Sequence, residues 1–379
     1  MEWLWYSLFG LAVVVIALYS TMIIYAISGW KKLEVEEEEK EPWLGVSILI
    51  AARNEAENIE TVIRDIFNQS YSKELFELIV IDDHSEDETL SIAEALKAEF
   101  PNLKVLPNED GEGKKAALQK GIREANFDTI ATVDADCRVP SEWLISMTSH
   151  WVKDQTKMLL GPIVFQPNQT MLQQSQAMEM LAIMGLTGGF ASQQKPIMAN
   201  GANLFFSKQE FESIGGYQSS QNPSGDDVFT MLQFSEKWPD SVRFVKHYEA
   251  AVLTKPEATF SAFWQQRKRW LSKKGGYSNI LVKGTAVITY LANAAAFVSF
   301  IAIIGALGSY WTDRLMWILF IKTLLDLILT RTVSRDIQPH CGIANILVTE
   351  IFVVVYVTFL GIFGNVRNYV WKGREIKVK

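Results

Sequence analysis

The stretch Thr129-Ile-Ala-Thr-Val-Asp-Ala-Asp-Cys137 is an apolar strand that runs directly into two carboxylates. Residues two apart on an extended chain point to the same side, so Asp134 and Asp136 would face one point in space. Like charges held there repel unless a cation sits between them. The alternative is a turn, or an N-cap for a helix near Pro140 and Ser141, and for an isolated Asp-x-Asp the turn is the commoner outcome.

Strands and helices alternate on the N-terminal side of this stretch. Residues 46–51 form an apolar run that breaks at Arg53, Asn54 and Glu55, and a helical pattern follows over 56–69. A strand over 75–81 ends at Asp82, Asp83, His84 and Ser85, and Asp87 begins a helix that runs to residue 100. A short strand at 103–106 and a helix at 114–125 complete the pattern. Such alternation with near-continuous apolar strands predicts an α/β fold, with a parallel sheet covered on both faces. Ligands of these sheets collect at the carboxyl ends of the strands. Three polar sets meet at that edge: Arg53, Asn54 and Glu55; Asp82 and Asp83; Asp134 and Asp136. No G-x-G-x-x-G follows the first strand and no G-x-x-x-x-G-K-[ST] occurs, which disfavours dinucleotide and P-loop chemistry. Carboxylates around a hard cation, with that cation holding a diphosphate, fit better.

The chain has 379 residues, a formal charge of −7 and two cysteines. An acidic chain of this kind is a poor match for nucleic acid. Cys137 and Cys341 are too few and too differently placed for a disulfide framework or a zinc site. Residues 3–29 are apolar and carry no charge, long enough for a bilayer span, and they lack the basic start of a signal peptide. Further apolar segments lie at 286–311, 315–329 and 344–364, the middle one interrupted by Lys322 and Asp326, spaced to pair on one helix face. Lys31 and Lys32 follow the first span and no basic residue precedes it, so the positive-inside rule puts the N-terminus outside and residues 30–285 in the cytoplasm. Three C-terminal spans would then leave the basic tail from Arg367 outside, against the same rule, unless one segment is re-entrant or interfacial. The expected divisions are an anchor at 1–30, an acidic linker at 31–43, a cytoplasmic domain at 44–258, an amphipathic interface helix at 259–284, membrane helices at 285–366 and a tail at 367–379.

Eight short motifs run in order through the soluble block and its edge: Ala52-Arg-Asn-Glu55, Val80-Ile-Asp-Asp-His-Ser-Glu-Asp87, Gly113-Lys-Lys-Ala-Ala-Leu118, Asp134-Ala-Asp136, Gly201-Ala-Asn203, Gly215-Gly-Tyr217, Gly225-Asp-Asp227 and Gln266-Arg-Lys-Arg-Trp270. Each alone is weak. Together, framed by apolar helices, they make the chain resemble a membrane-embedded family 2 glycosyltransferase with the GT-A (Rossmann-like) fold, the group of cellulose and hyaluronan synthases and ceramide glucosyltransferases.

The resemblance implies a nucleotide-sugar donor, UDP being usual, bound by Ala52, Arg53, Glu55, Asp82, Asp83, Lys114, Asp134 and Arg269. It implies Mn²⁺ or Mg²⁺ on Asp134 and Asp136, and a general base at Asp227 that would give inversion. Asp226 departs mildly from the glutamate usual before that base. It also places Gln266, Arg269 and Trp270, with Asp226, at the acceptor or diphosphate. Simpler readings stand beside these: a helix N-terminal signal for Asp82, Asp83 and Asp226, an Arg53–Glu55 surface pair, and a membrane-surface helix for residues 259–284. Lys114 at a helix start is disfavoured by the helix dipole unless an anion lies near it. Residues 171–190 either line the entry of a lipid acceptor or form core. One span before and three after match the shorter, lipid-modifying members; a polysaccharide synthase is the second reading, and an inactive nucleotide-sugar-binding scaffold a third from another class.

Overall fold

The protein is described here by a computed structural model covering residues 2–33, 44–109, 111–151, 155–166, 170–219, 226–272, 279–305, 310–338, 346–363, 368–371 and 374–377. The acidic run 34–39, Gly225, Lys273, Lys274 and Cys341 lie outside these, and only the backbone of Asp226 is described.

A long helix α1 (Glu2–Lys32) leads into β1 (Val46–Ala52), α2 (Ile59–Phe67), β2 (Phe76–Asp82), α3 (Thr89–Leu96), β3 (Leu103–Pro107), α4 (Lys114–Glu124) and β4 (Thr129–Thr132). β2 is buried at every position and β1 at all but Ala51, as central strands covered on both faces must be, whereas β3 alternates and forms an edge. α2 turns Ile59, Val62, Ile63 and Ile66 onto the sheet, the spacing of one helical face. At the end remote from the strand termini, buried Glu77 accepts from Ser47 Oγ at 2.6 Å and from the Asn126 backbone N–H at 2.6 Å, and pairs with Lys104 at 2.8 Å.

The chain continues through α5 (Trp143–Thr148), β5 (Met158–Leu160), β6 (Ile163–Phe165), α6 (Met171–Ala191), β7 (Leu204–Ser207), α7 (Lys208–Ser213), α8 (Asp226–Lys237), β8 (Val242–Phe244) and β9 (Val252–Thr254). The sheet order is β3-β2-β1-β4-β7-β5-β8. β1 to β4 are mutually parallel, as the alternation predicts. The expectation of a wholly parallel sheet fails at β7, which is antiparallel to both β4 and β5. β7 follows the long excursion through α6 and not a right-handed crossover, so its direction is not tied to that of β4. Asn203, of the Gly201-Ala-Asn203 motif, is structural: its amide donates to the carbonyls of Pro162 and Ala250, both at 2.8 Å, and its oxygen accepts from Trp143 Nε1.

α6 packs against strands β6 and β8 on one side and against α1 on the other. That crossing is close because two glycines meet there. A Cβ on Gly189 would lie 2.2 Å from the Ala26 carbonyl oxygen, and one on Gly29 would lie 1.9 Å from the Gly189 oxygen. Residues 171–190 therefore form a helix wedged between the soluble block and the remaining helices.

Those helices are α9 (Phe260–Ser272), α10 (Ile280–Gly305), α11 (Tyr310–Ile337) and α12 (Ile346–Phe363), followed by a hairpin of β10 (Asn368–Trp371) and β11 (Arg374–Lys377). Among the described residues, Tyr6–Lys32 and Ile280–Gly305 are long and apolar enough to cross a membrane; Val348–Phe363 is a shorter apolar helix. Three C-terminal spans are thus not found. α11 is interrupted by charge, but its charges turn inward: Lys322 pairs with Asp326 at 2.9 Å and with Glu350 of α12, while Tyr19 of α1 donates to Asp326. Its outer face shows Met316, Trp317, Phe320, Leu324 and Ile328. Near the start of α12 the Thr349 hydroxyl donates to Ser175 of α6, and β10, just beyond its end, packs on α9. β10 and β11 thus lie beside α9.

Candidate active site

The carboxyl ends of β1, β2 and β4 deliver their polar residues to one pocket. It is lined by Ala51, Ala52, Arg53, Asp83, Lys114, Asp134, Ala135, Asp136 and Arg269. Two tight turns shape its rim, with Asn54 and His84 in the left-handed region at φ 51° and 58°. Such backbone costs roughly 1 kcal/mol per non-glycine residue. The two turns are tied together: Asn54 N donates to Ser85 Oγ at 3.0 Å, and Glu86 N to Asn54 Oδ1 at 2.8 Å. Arg53 spans the same gap, its guanidinium donating to the carbonyls of Asp83 and His84 at 3.0 and 2.7 Å and to Glu86 at 2.9 Å. The simple Arg53–Glu55 pair is not formed. Glu55 is buried and accepts from Asn58 at the start of α2, while its N–H donates to Thr89 Oγ1.

Asp83 is buried and accepts at Oδ1 from Asn108 Nδ2 and from the Gly113 N–H, each at 2.9 Å. Asp82 Oδ2 accepts from Ser85 N, whereas Asp82 Oδ1 and Asn108 Oδ1 are buried without a hydrogen-bond partner. Two orphaned acceptors, one at the carboxyl end of β2 and one just past β3, call for donor hydrogens, which a nucleobase edge or ribose carries. Asn108 was not among the residues expected here. The available signal is that β3 is a fourth strand whose carboxyl end reaches the same edge.

Lys114 opens α4 behind Gly113, whose φ of +93° lets the chain turn into the helix. Its ammonium pairs with Asp134. Desolvation alone would lower its pKa, but Asp134 and, more weakly, Asp227 hold it above the ordinary lysine value. This supplies the anion that a lysine at a helix start requires. Burial and the Asp134 carboxylate push Asp136 above the ordinary aspartate value, partly offset by Lys114 and Arg269. The extended continuation expected for the opening pair is not what forms: β4 ends at Thr132 and the pair lies in a tight turn closed by the Cys137 N–H donating to the Asp134 carbonyl at 3.1 Å, and within that turn the two carboxylates crowd one another. Neighbouring Cys137 is buried with its thiol pushed well up, by burial first and then by Asp134 and Asp136.

Asp134 and Asp136 form an all-oxygen donor set suited to Mg²⁺ or Mn²⁺. Among the described residues no group of three or more potential ligands gathers, so diphosphate oxygens and water would have to complete the shell. That is the usual arrangement for a cation shared with a phosphate substrate, and the residues fit it.

Asp227 stands beside the pocket at the start of α8, with Oδ2 accepting from the Gly201 N–H at 3.2 Å and Oδ1 from Val228 N. Gly201 separates it from the lysine: a Cβ there would lie 3.5 Å from Lys114 Nζ and 3.8 Å from Asp227 Cβ. Among the described residues of α9, Arg269 is the one that reaches the pocket lining. Gln266 donates to Glu257 at 3.0 Å and accepts from Arg267, and half-buried Trp270 packs against the Arg267 guanidinium. Arg267 and Glu257 were missed because their partners lie on other elements.

Residues 47–214 match the family described as Glycosyl transferase family 2. The chain is 28% identical over 243 residues to the beta-monoglucosyldiacylglycerol synthase of Trichormus variabilis, covering 62% of this chain and 50% of that one. It is 24% identical over 260 residues to the poly-beta-1,6-N-acetyl-D-glucosamine synthase of Staphylococcus epidermidis, covering 66% and 59%. A 99-residue segment is 34% identical to glycosyltransferase AglE of Haloferax volcanii, covering 26% of this chain and 33% of that one. The chain thus spans a third to a little over half of these relatives. In fold it is similar to the mannosyltransferase PcManGT from Pyrobaculum calidifontis, solved with GDP-Man and Mn²⁺, with a TM-score of 0.59 at 17% identity over 92% of this chain and 99% of that one. The α/β block is a family 2 glycosyltransferase domain with the GT-A fold.

Proposed function

We propose that the protein is an inverting, metal-dependent glycosyltransferase that moves one sugar from a nucleotide-sugar to a membrane lipid. The observation that carries this reading is the convergence of Asp134, Asp136, Lys114 and Arg269 on one pocket, with Asp227 beside it across Gly201. Asp82, Asp83 and Asn108 bind the nucleoside end of the donor. Lys114 and Arg269 hold the diphosphate. Asp134 and Asp136 would hold Mn²⁺ or Mg²⁺, which when bound neutralises the departing nucleoside diphosphate. Asp227 takes the proton from the acceptor hydroxyl as that oxygen attacks the anomeric carbon from the face opposite the leaving group, so an α-linked donor gives a β-linked product.

The acceptor assignment rests on the apolar helices and on the glycolipid synthases among the relatives. α1, α10 and α11 cross the membrane, with the charges of α11 inside the bundle, and α12 returns to the cytoplasmic side with the catalytic domain. A polysaccharide synthase is the second reading, favoured by the poly-N-acetylglucosamine synthase relatives.

The test uses detergent-purified protein with membrane lipid extract, Mn²⁺ or Mg²⁺, and a panel of UDP- and GDP-sugars, with products read by mass spectrometry. A lipid heavier by one sugar, absent in Asp227→Asn, supports the reading. A ladder of added sugars selects the polymer synthase. No transfer from any donor leaves only a nucleotide-sugar-binding role.

A further inference from the structure

We infer that Arg267, a residue outside the pocket, is a positioning residue that sets the acceptor face of α9, and that it does so by locking α9 to α6 and α12. The inference rests on the glycosyltransferase reading above and concerns how that site is held.

Arg267 is almost fully buried, with 3% of its side chain exposed. Its guanidinium pairs with Glu179 of α6 and donates to the side-chain oxygen of Gln266. Tyr356 of α12 donates its hydroxyl to the same Glu179 carboxylate. The guanidinium carbon lies 4.5 Å from the centre of the Phe263 ring and 4.1 Å from that of Trp270, so the cation is held between aromatic rings one turn below and one turn above it. Phe263, fully buried, packs edge-on against Tyr356 with ring centres 5.0 Å apart. Three helices that are distant in sequence thus meet at one ion pair.

Buried ion pairs contribute little net stability, because desolvation offsets most of the attraction; their best-attested use is to specify geometry. The geometry specified here is that of α9. Arg269 lies two residues beyond Arg267, about 200° around the helix. Fixing Arg267 toward α6 and α12 therefore turns Arg269 toward Asp136 and the pocket. The stack also sets the plane of Trp270. Lysine cannot replace this arrangement, since it keeps the charge for Glu179 but has no flat surface to lie between two rings. Because Tyr356 belongs to an apolar helix, the knot makes the catalytic face of α9 depend on how α12 is seated.

The experiment compares Arg267→Lys, Glu179→Gln, Tyr356→Phe and Asp227→Asn in the purified full chain, using whichever panel nucleotide-sugar supports transfer and membrane lipid extract in mixed micelles. Arg267→Lys is expected to raise half-saturating lipid at least fivefold through Trp270 and Gln266, and the donor KM by a smaller factor through Arg269, with kcat within threefold. Glu179→Gln and Tyr356→Phe should shift the lipid dependence in the same direction by less. Equal loss in donor KM, lipid dependence and kcat would mark a purely structural role and overturn the inference. So would parent-like kinetics in both Arg267→Lys and Tyr356→Phe while Asp227→Asn is inactive. If Arg267→Lys does not fold, the single-hydroxyl change Tyr356→Phe decides by the same split. Retained transfer in Asp227→Asn would instead strike the catalytic reading and leave the Arg267 comparison intact.

Discussion

The Gly201 N–H donates to Asp227 Oδ2 at 3.2 Å, and a side chain on the same glycine would enter between Asp227 and the Lys114 ammonium. The bond orients the carboxylate without neutralising it, and the missing side chain leaves room for a hydroxyl to approach. Asp227→Asn keeps the shape and can still receive the Gly201 hydrogen through its amide oxygen, but it cannot take a proton. Transfer should fall by roughly 10³-fold with nucleotide binding unchanged. Single-turnover assays beside UDP or GDP titration calorimetry check this.

Gly201→Ala tests the clear space itself. Its methyl would meet Lys114 and Asp227 at ordinary contact distance, so the protein should fold and melt like the parent. Filling the approach route should nevertheless lower kcat/KM by about tenfold or more, as small misplacements at a reacting centre do. Parent-like kinetics would place the reacting atoms elsewhere.

Chelation and Asp136→Asn address the crowded pair. Removing divalent metal with EDTA should abolish transfer, and Mn²⁺ or Mg²⁺ should restore it. Asp136→Asn relieves the repulsion from Asp134 and removes a ligand oxygen charge, so transfer should require a higher metal concentration while the folded protein is at least as heat-resistant. Metal titration of activity beside a melting curve separates the two effects.

Gly189→Val challenges the crossing of α1 and α6. A side chain there meets the Ala26 carbonyl, a backbone atom that cannot step aside. Overpacking of this kind costs about 1–3 kcal/mol. A lowered melting temperature in size-exclusion assays and exposure of α1 to protease are expected.

Glu77 supplies the pH dependence of stability. Burial raises its pKa, but Lys104, Ser47 and Asn126 together hold it below the ordinary glutamate value. A depressed folded pKa stabilises above the unfolded value, about 4.3, and this contribution is lost as pH falls through the folded value. The parent should therefore lose stability below about pH 4.3 more steeply than Glu77→Gln, and the variant should be the less stable of the two at pH 7. Denaturation at a series of pH values reads both slopes.

The strands β1 to β4, their helices and the edge at which Arg53, Asp83, Asp134 and Asp136 meet were legible from residue order, because period-2 and period-3.6 patterns and strand-end turns are local properties of the chain. The resemblance added Lys114, Asp227 and Arg269, whose own neighbours in sequence say little. The partners of the site residues were not legible. Arg53 binds backbone carbonyls and Glu86, Glu55 is buried beside α2, and Gln266 is held by Glu257 and Arg267.

What the sequence by itself determined is therefore the α/β block, the apolar segments and the carboxylate pair that follows β4. Only the tertiary structure decided the antiparallel placement of β7, the packing of α12 against α6, and the union of Glu179, Arg267 and Tyr356 in one buried knot. The physical reason is separation along the chain. A residue's backbone preference acts over a turn or a strand, whereas a buried charge takes whichever opposite charge the packing of distant helices brings to it.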